Sequence, residues 1–567
     1  MGFILFLISV VWFILMYHFY GRFLARKVFK LDDNNKTPAH ILRDDTDYVP
    51  SNRWVVWGHN FTSIAGLGPI VGPAIGIIWG WVPALLWIVL GAVFLGGVHD
   101  FASLVLSLRN KGLSIGEITT QIIGKRAKYL FMSIIFFELW VVIAIFAMIM
   151  GILFEMYPSS VFPIWMEIPI ALTLSYMVFK KGKSLELWSW FALIAMYVTV
   201  AIGVLIPIKI PSPNAIVIWI IILMIYCYIA STLPVETLLQ PRDYINSHEL
   251  LVAGLLIFVG AVAAFISDPG HLGFVAPAFN FSVKDAPPIW PFLFVTIACG
   301  AISGFHSLVV SGTASKQINK ESDAKLVGYG GMIAEGILAS LVILAVAAGF
   351  GAMGKGLNIG IKEWANHYKD WSSASGLAAN IKAFVVGSAN MMSYIFGKSK
   401  YMMELMMTIM GVFIVSFAGT TIDTATRIQR YIVQEFGQST HINLLTNKHI
   451  ATLVAVGSAF GLAMIKPGGK GALILWPLFG TINQLLAGLA LVVATLYLVY
   501  RKTKPMIAAI PTIFLITMTG WAMINNIQNY FKTHNWVLFI IGLIVFCLMV
   551  WLVIEGITAL SKKKVLS

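Results

Sequence analysis

The stretch Val56–Trp81, VWGHNFTSIAGLGPIVGPAIGIIWGW, decides the fold class of this chain. It is long and apolar enough to cross a membrane, yet helix-breaking residues interrupt its middle: Gly66, Gly68, Pro69, Gly72 and Pro73. Glycine and proline free backbone groups that a helix would otherwise pair. In hydrocarbon, such groups are tolerated only where they are buried in protein or line a wet cavity. The stretch therefore predicts a broken membrane helix beside a binding site, which is typical of transporters.

The composition places the rest of the chain in the same environment. Of 567 residues, 59% are hydrophobic and 11% are charged, whereas soluble proteins carry about 25% charged residues. Because the apolar runs are continuous and do not alternate, they predict an all-α polytopic membrane protein and exclude a β-barrel. The net charge of +14 comes from lysines and arginines between the apolar runs. It therefore indicates membrane topology and no nucleic-acid partner.

At about 20 apolar residues per span, the sequence predicts about fifteen transmembrane helices. Their limits are 3–20, 54–79, 81–107, 129–153, 162–180, 187–209, 215–236, 249–267, 290–311, 328–350, 403–422, 449–466, 473–500, 506–525 and 535–558. The segment 377–396 is weaker and is left as an interfacial or re-entrant possibility. Positive charge accumulates in alternate short loops, so we expect the N-terminus outside and the C-terminus inside.

A second interruption is expected in the span 215–236, where Ser231, Thr232 and Pro234 occur. A simple helix end is the alternative, because proline often follows one. The two interrupted spans open two five-span units of opposite topology, a pattern that describes an inverted-repeat transporter. The expected organisation has four parts: an N-terminal anchor helix and cytoplasmic loop at 1–53, a first repeat at 54–209, a second repeat at 215–422 with an extracellular segment at 351–402, and accessory helices at 449–567.

Polar and small residues beside these interruptions are the predicted substrate-binding groups. They are His59, Asn60, Thr62, Ser63, Gly66, Gly68, Ser231, Thr232, Ser303 and Ser307. A half-helix that begins after a break would favour a carboxylate at its N-terminus, although freed carbonyl groups could equally hold a cation. For Ser303 and Ser307 the alternative is close helix packing, because both lie on a small-residue face of the span 290–311.

Ionisable residues within apolar runs are the predicted ion-coupling groups, because burying a charge in a membrane is costly. They are His99, Asp100, Glu138 and His306, and the hydroxyls of Ser311 and Thr313 could hold a cation instead. Asp100 could also pair with a loop arginine, and His306 could be a packing residue.

Several long strings resemble the carbon starvation protein family, CstA. They are RDDTDYVPSNRWVVWGHNFTSIAGLGPIVGPAIG (43–76), GGVHDF (96–101), LPVETLLQPRDY (233–244), CGAISGFHSLVVSGTASKQ (299–317), AGTTIDTATRIQR (418–430) and LWPLFGTINQLLAGLAL (475–491). The resemblance implies a bacterial inner-membrane transporter linked to peptide uptake in carbon starvation, with some relatives acting as pyruvate–proton symporters. It also implies the fold of the amino acid/polyamine/organocation superfamily.

The leading hypothesis is a secondary active transporter that imports pyruvate or short peptides by alternating access. Protons would couple through Asp100, His306 or Glu138, and sodium through Ser311 and Thr313 is the competing version. The rival hypotheses are a membrane-embedded metal or redox protein that uses His59, His99 and His306 as ligands, and a nutrient sensor. No soluble-enzyme signature or cofactor motif occurs, so the expected partners are a small molecule and the lipid bilayer, with the oligomeric state left open.

Overall fold

The computed structural model describes residues 2–267, 273–351 and 357–561. The expected inside tail at 562–564 and parts of the loops 268–289 and 351–402 lie outside these residues. Within the described residues the chain is helical, and an isolated bridge between Ser51 and Ile318 is the one β-type pairing. The predicted all-α class is therefore confirmed.

In the part of the chain that the structure describes, 12 helical spans are long and apolar enough to cross a membrane. They contain α1 (Gly2–Phe23), α5 (Trp81–Gly91) continued by α6 (Gly97–Arg109), α8 (Lys125–Met156), α9 (Val161–Ser175), α10 (Leu185–Leu205), α11 (Ala215–Thr232), α12 (Leu239–Ser267), α15 (Gly330–Ala348), α19 (Lys400–Thr440), α22 (Trp476–Tyr500), α23 (Met506–Lys532) and α24 (Trp536–Ser561).

Two further apolar segments are interrupted. The first consists of α3 (Arg53–Ala65) and α4 (Gly68–Gly76), and its two halves meet at a bend of 42°. The second consists of α13 (Ile289–Thr296) and α14 (Gly304–Gly312), which are separated by seven residues outside any helix. The remaining helices do not count among these spans: α2 (Pro38–Ile41), α7 (Ile115–Ile122), α16 (Leu357–His367), α17 (Trp371–Ala374), α18 (Leu377–Phe396), α20 (Asn443–Thr446) and α21 (Lys448–Met464).

These elements explain the difference between 12 spans and the expected fifteen. Twelve of the expected spans coincide with the long helical spans, and the span 54–79 is the bent pair α3–α4. The expected span 290–311 is α13–α14, and 449–466 is α21, which is shorter than the others. Helix α18, at the weaker segment 377–396, packs against α12, α15 and α19.

The second break does not lie where the sequence suggested. Helix α11 runs without interruption to Thr232, and Pro234 stands just beyond its end, so the helix-end alternative is the correct one. The break falls instead at 297–303, where Gly300 has a φ of +89°. Backbone with positive φ is readily adopted by glycine alone. Sequence reasoning placed this region in one continuous span, 290–311, with a small-residue face, and so missed the interruption.

The two interrupted segments cross each other at their breaks. Helix α3 contacts α14 and α4 contacts α13, so the two segments run antiparallel. Small residues permit the approach, since a Cβ on Gly68 would lie 2.3 Å from the Cβ of Cys299. A Cβ on Gly72 would lie 2.8 Å from the carbonyl oxygen of Thr296. Larger side chains at these two glycines would separate the breaks.

Candidate functional site

The first break is formed by Gly66 and Leu67. Gly66 has a φ of +38° and ends α3, and Gly68 begins α4 with Pro69 in its first turn. The Ser63 carbonyl, which loses its helical partner here, accepts a hydrogen bond of 3.1 Å from Thr421 Oγ1 of α19. A side chain on the neighbouring helix therefore satisfies the backbone that the break sets free, as a bilayer requires.

Four side chains from three helices, α5, α15 and α22, satisfy the backbone of the second break. Glu335 Oε1 on α15 accepts from the Gly300 N–H at 3.0 Å. Asn483 Oδ1 on α22 accepts from the Phe305 N–H and the Ser303 hydroxyl, both at 3.0 Å. The carbonyls at the end of α13 are satisfied in the same way, by Gln484 Nε2 and Trp87 Nε1. Hydrogen bonds from neighbouring helices thus stabilise the interrupted backbone conformation.

A cavity of about 720 Å³ lies against both breaks. Its walls include Gly66 and Gly68 from the first break and Cys299 from the second. Thr421 and Asn483, which satisfy the freed backbone, also face it. Its mouth lies at the loop 285–288 and at the C-terminal turns of α23, residues 525–532. Polar groups that converge on a largely apolar pocket at interrupted helices are typical of a substrate site.

A row of four buried ionisable residues lies behind the second break. His99 Nδ1 is 2.7 Å from Asp100 Oδ1, and Asp100 Oδ2 is 2.9 Å from His306 Nδ1. His306 Nε2 then lies 3.2 Å from Glu335 Oε2. None of the four side chains is exposed. We call them the proton row. Because Glu335 also holds Gly300, the row is connected directly to the backbone of the break.

A second buried group of charges surrounds Arg242 on α12. Its guanidinium contacts three carboxylates: Asp423, Glu167 at 3.5 Å and Asp243 at 3.6 Å. Asp243 Oδ2 also lies 2.5 Å from His59 Nδ1 on α3. We call these five residues the Arg242 cluster. It joins the first interrupted segment to α9, α12 and α19.

The loop 44–52 leads into α3 at the end of that helix that lies opposite the cavity. Asp47 accepts hydrogen bonds from Arg427 at 2.9 Å and from Tyr431 at 2.6 Å, and lies 3.5 Å from Arg430. Burial tends to raise the pKa of Asp47, but the two guanidinium groups outweigh burial and hold that pKa below its ordinary value. Backbone hydrogen bonds tie the same loop to residues 316–317 and to Val235.

One set of residues in the described part of the chain could hold a metal ion. Ligand atoms of Cys299, His306 and Glu335 lie within 4.8 Å of one another. His306 already faces Asp100 and Glu335 with its two ring nitrogens, so the geometry is that of charge pairing. The histidines of the rival metal hypothesis do not form such a set, since His59 pairs with Asp243 while His99 and His306 share Asp100.

The structure brings some of the predicted site residues together and separates others. Gly66 and Gly68 line the cavity, and His99, Asp100 and His306 form the row described above. His59 belongs to the Arg242 cluster. The other predicted residues have partners elsewhere or stand apart: Asn60 donates to Val327, Thr62 to Gly58, Ser63 pairs with Thr424, the backbone carbonyl of Ser231 accepts from Arg430, Thr232 donates to Ile229, Ser303 to Asn483, Ser307 to Gly304, Ser311 to Ser307 and Thr313 to Val309, while Glu138 is buried on α8.

The sequence-based site lacked several residues that the structure makes prominent. They are Glu335, Arg242, Asp243, Glu167, Cys299 and Asn483. Glu335 carried a usable signal, because it is an isolated carboxylate inside an apolar run. Arg242 and Asp243 lie between the predicted spans 215–236 and 249–267, where charged residues are expected in a loop. Asn483 is an amide in an apolar run and gives no comparable signal.

Two antiparallel interrupted helices with a cavity at their breaks define a membrane transporter. The fold agrees with that class: a manganese transporter of Eremococcus coleocola superposes with a TM-score of 0.53, covering 92% of this chain and 99% of the other at 12% identity. A likeness at that identity concerns the fold alone.

The sequence comparisons identify the family. The profile of the carbon starvation protein CstA family matches residues 1–522, and the chain belongs to that family. It is 33% identical to the peptide transporter CstA of Campylobacter jejuni, over 91% of this chain and 78% of the relative. It is 32% identical to the Bacillus subtilis protein of the same name, over 90% and 88%. The pyruvate/proton symporter BtsT of Escherichia coli is 29% identical, over 91% and 80%. The chain is therefore a multi-pass membrane transporter and not an enzyme.

Proposed function

We propose that this protein imports a small carboxylate such as pyruvate, or a short peptide, together with protons by alternating access. The observation that supports this most directly is the contact between the proton row and the second break. A proton that enters the row at Glu335 changes the charge of the group that holds the Gly300 N–H. Proton binding and the shape of the substrate cavity are thereby linked through one side chain.

The substrate carboxylate would bind at the start of α4. Leu67 and Gly68 line the cavity, and the N-terminus of a helix favours negative charge. Pyruvate and a short peptide share that carboxylate, and a cavity of about 720 Å³ accommodates either. The deeper wall is neutral, with Thr421 and Asn483 among its polar groups, while the charged Asp285 and Lys532 stand near the mouth.

Coupling to sodium has less support from the same geometry. The hydroxyls of Ser311 and Thr313 donate to carbonyl oxygens of their own helix, and Ser311 Oγ also accepts from the Ile115 N–H. These oxygens are already engaged in packing and do not converge. The proton row, in contrast, consists wholly of groups that bind protons.

The orientation follows from the charges of the loops. The cavity mouth is formed by the loop 285–288 and the end of α23, which the distribution of lysine and arginine assigns to the outside, and the loop 44–52 belongs to the inside. On this basis the N-terminus lies outside and the structure corresponds to an outward-facing state, and the proposed location is the bacterial inner membrane, which the family implies. Release inward then requires the contacts of Asp47 to open.

The domain organisation is proposed in a revised form. With the second break at 297–303, the second unit would begin near residue 289 and continue through α15, α19 and α21 to α22. The first unit would keep the limits 54–209, and α11 and α12 would connect the two.

The decisive experiment is uptake into proteoliposomes. Purified protein is reconstituted, and uptake of labelled pyruvate and of a labelled dipeptide is measured with an imposed proton gradient, an imposed sodium gradient or neither. We expect the inward proton gradient to accelerate uptake of one substrate, and a sodium gradient alone to have no effect. Uptake that is unchanged after both gradients are collapsed would overturn coupled transport.

A further inference from the structure

The Arg242 cluster has a charge imbalance that its buried position does not permit. One guanidinium faces three carboxylates, from Asp243, Asp423 and Glu167, and all these side chains are buried. With the acids ionised and His59 neutral the net charge is −2, and with His59 protonated it is −1. Each uncompensated buried charge costs several kcal/mol. The cluster therefore holds at least one more positive charge than Arg242 and His59 supply.

The missing positive charge is a proton and not a metal cation, because Arg242 already contacts all three carboxylates. A metal cation among these carboxylates would lie beside a guanidinium that makes contact with all three of them. Proton binding avoids that repulsion, since it neutralises one acid in place. The other titratable groups that face the cluster are Tyr226, Cys227 and Glu249. None of these supplies a positive charge.

Glu167 is the acid best placed to carry this proton. Asp423 accepts from Arg242 and from Tyr226 Oη, and Asp243 pairs with His59. Glu167 has the 3.5 Å contact to Arg242 Nε and a hydrogen bond with Asn246, and its Oε1 has no hydrogen-bond donor among the described residues. Asp243 also has one oxygen without a donor, but its other oxygen has His59 as a partner that can carry a positive charge. A carboxylate with fewer donors gains less from being ionised.

We infer that the Arg242 cluster is a second proton-binding site, with Glu167 as its acceptor, so that two protons enter with each substrate molecule. The inference rests on the proposed function. The cluster can take part in the cycle because His59 belongs to α3, seven residues before Gly66, while its partner Asp243 belongs to α12. A movement of α3 separates His59 from Asp243 and changes the charge that Glu167 must balance.

The number of protons coupled to each substrate molecule is measured by finding the substrate gradient that balances a known proton gradient. Proteoliposomes containing the full chain are held at zero voltage with potassium and valinomycin, and a tenfold proton gradient is imposed. The substrate gradient at which net flux stops is then determined, using whichever of pyruvate or the dipeptide is transported. One coupled proton gives a tenfold substrate gradient, and two give a hundredfold gradient, whatever the charge of the substrate.

We expect net flux to stop at a hundredfold substrate gradient in the wild type and at a tenfold substrate gradient in Glu167→Gln. The matched control is Glu186→Gln, which replaces an exposed glutamate on α10 and should keep the hundredfold value. If Glu167→Gln fails to accumulate, Asp243→Asn removes another acid from the same cluster and should also give tenfold. Replacement of sodium by choline on both sides should change none of these values.

The outcomes separate this inference from the proposed function. A tenfold balance in the wild type would overturn the second proton and leave proton-coupled transport intact. A hundredfold balance retained by Glu167→Gln or by Asp243→Asn would overturn the assignment to this cluster. A wild type that accumulates no substrate against its gradient would overturn the proposed function itself.

Discussion

Glu335 Oε1 accepts a hydrogen bond of 3.0 Å from the backbone N–H of Gly300. The same carboxylate contacts His306 through its other oxygen at 3.2 Å. One side chain thus belongs both to the backbone of an interrupted helix and to a row of proton-binding groups. Protonation of Glu335 therefore acts directly on the break, because a neutral carboxyl accepts the hydrogen bond from the Gly300 N–H more weakly than a carboxylate does.

Glu335→Gln should remove the proton that couples through the proton row, so that a proton gradient sustains at most one-tenth of the wild-type substrate gradient, while the protein still folds. The amide oxygen of glutamine can accept from Gly300, but the side chain does not titrate. Glu335→Leu removes the acceptor as well and should lower stability by about 1–3 kcal/mol, because the buried N–H loses its partner. Gradient-driven uptake and thermal unfolding of both variants test this. A Glu335→Gln protein with wild-type response to the proton gradient would remove Glu335 from the coupling path.

Gly68→Ala should destabilise the protein by about 1–3 kcal/mol through overpacking. The added Cβ would lie 2.3 Å from the Cβ of Cys299, so the two breaks would have to move apart. Gly457→Ala is the matched control, since a Cβ there meets nothing within 4 Å, and it should stabilise α21 by up to about 1 kcal/mol. Unfolding temperatures of the two variants measure the difference. Equal behaviour would show that the breaks are not closely packed.

Asn483→Ala should cost about 1–3 kcal/mol of stability, because it leaves the Phe305 N–H without its acceptor in a buried site. It should also weaken substrate binding, since Asn483 faces the cavity. Asn529→Ala is the stability control, because that asparagine is exposed at the cavity mouth. Unfolding temperatures and the KM of uptake report the two effects separately, and an unchanged unfolding temperature for Asn483→Ala would contradict the first.

Asp47 should make stability depend on pH in the acid range. Its pKa is lowered because Arg427 and Arg430 outweigh the effect of burial. A lowered pKa adds stability above the ordinary aspartate value of about 3.9, and that stability is lost as pH falls through the lowered value. Asp47→Asn should therefore be less stable than the wild type near pH 6, with a difference that shrinks below about pH 4. Asp45→Asn, which replaces an exposed neighbour, is the control. A difference that stays constant down to pH 3 would count against the contacts of Asp47.

Cys299 provides a native reporter of the cavity. Its side chain is partly exposed and lines the cavity wall, whereas Cys227 is buried. In a Cys547→Ser background, a small membrane-impermeant thiol reagent added to whole cells should modify Cys299 from outside. Saturating substrate should slow that reaction. Modification from the cytoplasmic side alone would reverse the proposed orientation, and a lack of protection by either substrate would move the substrate site elsewhere.

Much of the fold could be predicted from the sequence because the bilayer imposes simple rules. Span length, loop charge and the glycines and prolines of 56–81 are local properties, and each predicted span coincides with a helix or an interrupted helix. The second break was misplaced because proline at 234 is a conspicuous signal, whereas Gly300 resembles any small residue that lets helices pack. Only the backbone conformation separates those two roles.

The sequence by itself determined that this chain is a helical membrane transporter of the CstA family, and that isolated ionisable residues such as Asp100 and His306 deserve functional tests. The tertiary structure alone decided which of them meet. Asp100, His306 and Glu335 come from three separate helices, and Glu167 reaches Arg242 from a fourth. Pairing across such distances in the chain depends on helix packing, and hydropathy and loop charge carry no information about which helices pack together.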